Sequence, residues 1–255
     1  MDDAQAVSLS WTGPEGLEAE LIAWFGARAE RTIDTACAHV FLARDAAWKI
    51  KRHADLGYAD FSTPERRKWA LDRELEFNRA AAPDIYRAVR AVTREAGGGF
   101  AIDGTGPTVE HVLEMRRFDE TQVLAAQPQA VDGDLAEQLG RAIAGFHAEA
   151  PLRPAGGLTA LAFTVGSNAQ LLRETCQGLD QARVEVMIEL TEAELERQSP
   201  LLAHRAATGF SRRCHGDLHL GNILLEGGRP ILFDCIEFSD ILSDLDVQYD
   251  LAFLL

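Results

Sequence analysis

Apolar residues recur at two different periods along this chain. Near the amino terminus, PEGLEAELIAWFGARA (residues 14–29) puts Leu17, Leu21, Trp24 and Phe25 on one helical face, with Pro14 near the start. The period then shortens. HVFLARDAAWKIK reads as two strands, His39–Ala43 and Ala47–Lys51, turning around Arg44 and Asp45. A helix follows over Thr63–Ala80, where Thr63 is suited to cap the amino end and Pro64 to occupy the first turn. Beyond Pro83 alternation returns, predicting strands over residues 85–93, 100–102 and 108–115, with a turn at Gly97–Gly99. From Arg116 the pattern becomes helical, with helices expected over 135–149, 163–178 and 181–206. Two last apolar runs, 223–225 and 230–233, flank Gly227–Gly228 and predict a hairpin. The change of character near residue 116 divides the chain into an amino-terminal helical extension (1–29), a strand-rich part (30–116) and a mostly helical part (117–255).

Composition removes several function classes. The chain has 255 residues, 47% of them hydrophobic, enough for a substantial core. Its net charge of −15 argues against nucleic acid, which is bound by neutralising phosphates with lysine and arginine. No apolar run is long enough to span a bilayer, and no secretory leader pattern is present, so the expected compartment is the cytoplasm. The four cysteines, Cys37, Cys176, Cys214 and Cys235, are scattered, which argues against a disulfide framework. The spacing of Cys214, His215, His219 and Cys235 fits no standard zinc finger or ribbon.

The chemistry concentrates in CHGDLHLGNILL, residues 214–225. Asn222 follows Asp217 by five positions, and Asp234 ends the next apolar strand, seventeen residues after Asp217. A hairpin turn at Gly227–Gly228 would bring the three together. Phosphoryl transfer requires a carboxylate to orient the attacking hydroxyl and accept its proton, and oxygen ligands to hold Mg²⁺ on the phosphates. Asp217 suits the first role and Asn222 with Asp234 the second.

These motifs resemble the aminoglycoside phosphotransferase superfamily, whose loops read HGDxHxxNIL before a strand and an aspartate. The run FDCIEFSDILSDLDVQYDLAFLL is similar to a bacterial branch of that superfamily with unassigned substrate, some members of which carry a further P-loop domain downstream. The resemblance covers about residues 35–255. It implies an α+β, protein kinase-like bilobal fold, with a strand-rich amino-terminal lobe and a mostly helical carboxy-terminal lobe that reads as incomplete where the chain stops. It further implies ATP and Mg²⁺ as cofactors and a hydroxylated small molecule as acceptor.

The resemblance extends to particular residues. A lysine on the third strand should hold the α- and β-phosphates. AWKIK offers Lys49 and Lys51 on one strand face, and the AxK spacing from Ala47 favours Lys49 with Lys51 as the alternative. Its glutamate partner should lie on the 63–80 helix; of Glu74 and Glu76, the branch pattern favours Glu74. Glu114, Met115 and Arg116 are candidates for backbone contacts to adenine. In place of a glycine-rich loop stands TACAHVF, so a phosphate cradle would draw on the amides of Thr35 to Ala38 and the Thr35 hydroxyl. His215 is expected to brace the loop, His219 to face substrate or loop backbone, Glu237 to stand near the metal or the substrate, and Asp246 and Asp250 to be scaffold. Competing readings are a nucleotide-binding pseudokinase or regulatory module, and an enzyme of the same fold with a protein acceptor or a nucleotidyl-transfer reaction. The acceptor, the choice of ATP over GTP and the oligomeric state are not encoded legibly.

Overall fold

The computed structural model describes residues 16–175 and 178–255. Pro14 and Cys176 therefore lie outside the described residues. The chain forms two compact units, the first ending at Glu120 and the second beginning at Thr121.

The first unit contains α1 (Leu17–Gly26), α2 (Pro64–Ala81) and six strands: β1 (Arg31–Asp34), β2 (Ala38–Leu42), β3 (Ala46–Lys51), β4 (Tyr86–Arg94), β5 (Phe100–Ile102) and β6 (Thr108–Arg116). They make one antiparallel sheet in the order β1-β2-β3-β6-β4-β5. Strand alternation sends neighbouring side chains to opposite faces. On one face Phe41, Ile50, Val92 and Val112 meet Leu17, Leu21 and Phe25 of α1, with the Phe25 and Phe41 rings stacked 5.1 Å apart. On the other, Lys49 and Lys51 of β3 reach α2.

The helix α2 begins as its sequence requires, with the Thr63 hydroxyl accepting from the Arg66 amide at 3.3 Å and Pro64 in the first turn. Its buried face is unusual in carrying charge: Arg67, Ala70, Leu71, Glu74 and Asn78 all face inward. Buried charge is tolerated only where it is partnered. Arg67 donates to Glu110 at 2.7 Å and to the Phe61 carbonyl at 2.8 Å, and His53 Nε2 lies 2.8 Å from the same Glu110 carboxylate. Burial alone would push the Glu110 carboxyl up, but His53 and Arg67 together hold it below its ordinary value. A second polar link ties α1 to the sheet: Glu18 faces His39 Nε2 at 3.2 Å and accepts the His53 amide at 3.1 Å, while Asp34 faces His39 Nδ1 at 2.5 Å.

The second unit contains α3 (Gly133–Glu149), α4 (Leu158–Thr175), α5 (Gln181–Ala207), β7 (Ser211–Arg213), β8 (Ile223–Glu226), β9 (Arg229–Leu232), β10 (Asp244–Asp246) and α6 (Val247–Leu254). Side chains cap α3 at Asp132, α5 at Asp180 and α6 at Asp246. The expected hairpin is present: β8 pairs antiparallel with β9, and Gly227 and Gly228 both have positive φ (58° and 74°), as a two-residue turn matched to strand twist requires. Among the described residues the longer elements follow the sequence pattern, while β1, β7, β10 and α6 depart from it. β1 is an exposed edge strand without alternation. β7 and β10 are three-residue strands rich in charge, joined by register rather than by apolar pattern. The short helix α6 begins at the Asp246 cap inside a run that has no helical period.

Both ring nitrogens of His39 face carboxylates, so although burial opposes its charge, Glu18 and Asp34 raise its pKa above the ordinary 6.5. A raised folded-state pKa adds stability that is fully present below pH about 6.5 and is lost as pH rises through the raised value. Urea midpoints measured from pH 5.5 to 8.5 should fall more steeply for the native chain than for His39→Gln. Parallel profiles would contradict the assignment.

Candidate active site

The loop between β7 and β8 carries the acidic constellation, and its backbone is fixed from below by one buried carboxylate. Asp250, fully buried on α6, accepts the amide of His215 on Oδ2 and the amide of Gly216 on Oδ1, each at 2.9 Å. His147 on α3 places Nε2 2.8 Å from the same Oδ2. A carboxylate accepts only, so His147 carries its proton on Nε2. His147, Cys214 and Asp250 come close enough to suggest a metal centre. Their bonding argues otherwise: the Asp250 oxygens are taken by N–H donors, and the Cys214 thiol, pushed up by burial, lies 3.5 Å from the Leu245 carbonyl. The cluster is a brace.

Gly216 explains why glycine stands between His215 and Asp217. Its φ is +84°, and a Cβ there would lie 2.7 Å from the Leu242 carbonyl oxygen. His215 ties the loop to the hairpin. Its Nε2 is 2.9 Å from the Phe233 carbonyl, which can only accept, and its Nδ1 receives the Asp217 amide at 3.3 Å. The ring is therefore neutral, in keeping with the downward shift that burial imposes on it.

Asn222 aligns the half-exposed Asp217. Its Nδ2 donates to the Asp217 carbonyl at 2.8 Å and to Asp217 Oδ2 at 3.2 Å. Because a carbonyl can only accept, this contact also fixes which amide atom is nitrogen and leaves Oδ1, the atom a hard cation prefers, directed elsewhere. The Asn222 carbonyl accepts the Phe233 amide at 3.1 Å, so Asp234 directly follows the residue bonded to Asn222. Asp234 has φ of +63°, a conformation few side chains other than asparagine and aspartate adopt readily. The hairpin thus unites Asp217, Asn222 and Asp234 in one unit, as their spacing suggested.

His219 serves the loop backbone. Its Nδ1 accepts the Gly221 amide at 2.9 Å, and Nε2 lies 3.6 Å from Asp217 Oδ2. A Cβ on Gly221 would come within 2.6 Å of that ring, which accounts for the second loop glycine. Glu237 is buried, and Asp246 caps α6 while pairing in two places with Arg205 at 2.7 and 2.8 Å.

The basic pair lies in the first unit. Lys49 Nζ is 2.6 Å from Glu74 Oε1 and Lys51 Nζ is 2.7 Å from Oε2, so both sequence candidates converge on the predicted glutamate. Glu114, Met115 and Arg116 are the last three residues of β6, a strand paired on both sides. The Arg116 amide is committed to the Ile85 carbonyl at 2.7 Å, and the Glu114 carboxylate holds Arg90 at 3.0 Å. In the β1–β2 turn the Thr35 amide and hydroxyl both bond Ala38, and the Ala38 amide returns to the hydroxyl. Of that predicted cradle, the Thr35 and Ala38 amides and the Thr35 hydroxyl are thus already bonded within the turn.

Comparison with known proteins shows the family and the fold. A profile of the phosphotransferase enzyme family matches residues 42–255. The chain belongs to that family. It is 31% identical over 229 residues to the uncharacterized protein Rv2004c of Mycobacterium tuberculosis H37Rv, and equally to Mb2027c of Mycobacterium bovis. The match covers 87% of this chain and 44% of each relative, so the chain spans less than half the length of those curated proteins. The solved structure entitled the GDP and kanamycin complex of APH(2")-IIia aligns with TM-score 0.54 and 12% identity, covering 92% of this chain and 76% of that one. This likeness bears out the expected α+β, protein kinase-like fold, and the family to which the chain belongs is one of phosphotransferase enzymes. Among the described residues no helix is long and apolar enough to cross a membrane.

The sequence reading missed His147, whose only signal was its spacing after Leu135, Leu139 and Ile143 on the buried face of α3. Replacing Asp250 by Asn sets an NH₂ group against N–H donors in a buried site, leaving at least one donor without an acceptor, a change that costs about 1–3 kcal/mol. Asp217→Asn, at a half-exposed position, should change stability by less than about 0.5 kcal/mol. Urea denaturation of the two variants checks this contrast, and equal losses would remove the distinction between the buried brace and the half-exposed carboxylate.

Proposed function

We propose that this protein transfers the γ-phosphate of ATP, presented with Mg²⁺, to a hydroxyl of a small molecule such as an aminoglycoside, an amino sugar or a related metabolite. The observation that carries the reading is the double hydrogen bond from Asn222 to Asp217, made on a hairpin whose second strand leads into Asp234. Asp217 orients the acceptor hydroxyl and takes its proton as the oxygen attacks phosphorus. Asn222, through Oδ1, and Asp234 fit a hard cation because both offer oxygen. Bound there, Mg²⁺ would neutralise charge on the phosphate oxygens.

Lys49, oriented by Glu74, is assigned to the α- and β-phosphates, and the carboxy-terminal end of β6, around Glu114, Met115 and Arg116, to adenine. On this reading residues 30–116 form the nucleotide-binding lobe and 117–255 the catalytic lobe, and the reaction draws on cytoplasmic ATP. The GDP complex of the solved structural neighbour makes GTP the alternative donor.

The test is transfer from labelled ATP or GTP, with and without Mg²⁺, to a panel of aminoglycosides, amino sugars and hydroxylated metabolites. One acceptor should be phosphorylated only with Mg²⁺, and Asp217→Asn should lower the rate by about 10²- to 10⁴-fold, the usual contribution of a positioned proton acceptor. A variant within threefold of the native rate would remove Asp217 from the chemistry. Nucleotide binding without transfer to any acceptor would favour a binding module.

A further inference from the structure

A kinase-type phosphate clamp needs one strand lysine and one helix glutamate, yet this chain brings two lysines to one carboxylate. Lys49 and Lys51 stand on the same face of β3 and each takes a different oxygen of Glu74, at 2.6 and 2.7 Å. Their surroundings differ. The Lys49 side chain keeps 11% exposure, whereas that of Lys51 keeps 1%, and the Lys51 ammonium lies 5.4 Å from the centre of the Phe61 ring. Phe61 is held in turn through its carbonyl, which accepts from Arg67 of α2.

Removing an ammonium from water this completely is costly unless a fixed anion faces it. The same geometry constrains Glu74. A carboxylate held at one oxygen can pivot, because its terminal torsion is soft; held at both by cations rooted in one strand, its plane is set.

We propose that Lys51 is a positioning residue, one that holds Glu74 Oε2 so that Oε1 is presented to Lys49, and that it acts on a nucleotide's phosphates through Glu74 without touching them. This rests on the reading of Lys49 as the phosphate-holding group. It also gives α2 a second attachment to β3 that does not depend on Lys49.

The experiment is a double-mutant cycle between Lys51→Met and Glu74→Gln, with Lys51→Arg as the conservative variant, read in two ways. The first is Mg·ATP affinity by calorimetry on the full chain. Lys51→Met should weaken it about tenfold, Lys51→Arg by less than about threefold, and Lys51→Met placed on Glu74→Gln should add less than about twofold, since groups acting through one contact are not additive. The second is hydrogen exchange of the α2 amides without nucleotide, where Lys51→Met and Glu74→Gln should accelerate exchange to similar extents and the double variant no further. Affinity losses that multiply would overturn the proposal in favour of a direct phosphate contact, as would a Lys51→Met chain that matches the native one in both measurements. If the native chain binds no Mg·ATP, the functional reading falls, and the exchange cycle alone decides the clamp, with multiplying effects or no effect counting against it.

Discussion

Much of the second unit is organised around one buried carboxylate. Asp250 has no access to solvent, and a charge so placed must be met by donors. It is met by two consecutive backbone amides, those of His215 and Gly216, and by His147 from a distant helix. The consequence runs outward along the chain. With those amides fixed, Gly216 is forced to positive φ, His215 is turned to span from the Asp217 amide to the Phe233 carbonyl, and Asp217 emerges half exposed beside Asn222. Asp217 and Asn222 sit on a loop, but the loop is tied down by a helix and a hairpin.

The first unit solves a similar problem with buried charges of both signs. The inward face of α2 carries Arg67 and Glu74, each neutralised by partners on the sheet: Glu110 for the arginine, and Lys49 and Lys51 for the glutamate. Ion pairs in so dry a setting contribute less to net stability than to specificity of arrangement, because replacement by apolar residues is often tolerated while loss of one partner is not. Such pairs fix the register and rotation of α2 against β3. That precision is what a phosphate clamp needs, since a displacement of about 1 Å in a positioned group costs about a hundredfold in rate.

Much of this was legible in the residues. The switch from period two to period 3.6 near Arg116 separated strand-rich from helical parts, the glycine pair at 227–228 announced the hairpin, and the spacing of Asp217, Asn222 and Asp234 announced a shared location. Local rules sufficed there because turn chemistry and strand alternation act over a few residues. What stayed hidden depends on partners far apart in sequence. His147 gains its role only by meeting Asp250, more than a hundred residues away. The edge strand β1 and the charged pair β7–β10 carry no apolar alternation, so pairing with neighbours makes them strands. The choice between Lys49 and Lys51 was open for the same reason: alternation puts both on one face, and only the position of α2 distinguishes their surroundings.

The central proposal is that this chain binds a nucleotide together with Mg²⁺. Its most direct test is the Mg²⁺ dependence of ATP affinity, measured by calorimetry on the native chain, Asp234→Asn and Lys49→Met. The account predicts that Mg²⁺ tightens ATP binding to the native chain, that Asp234→Asn abolishes this tightening, and that Lys49→Met weakens binding whether or not Mg²⁺ is present. Native affinity indifferent to Mg²⁺, or unchanged by either substitution, would contradict it.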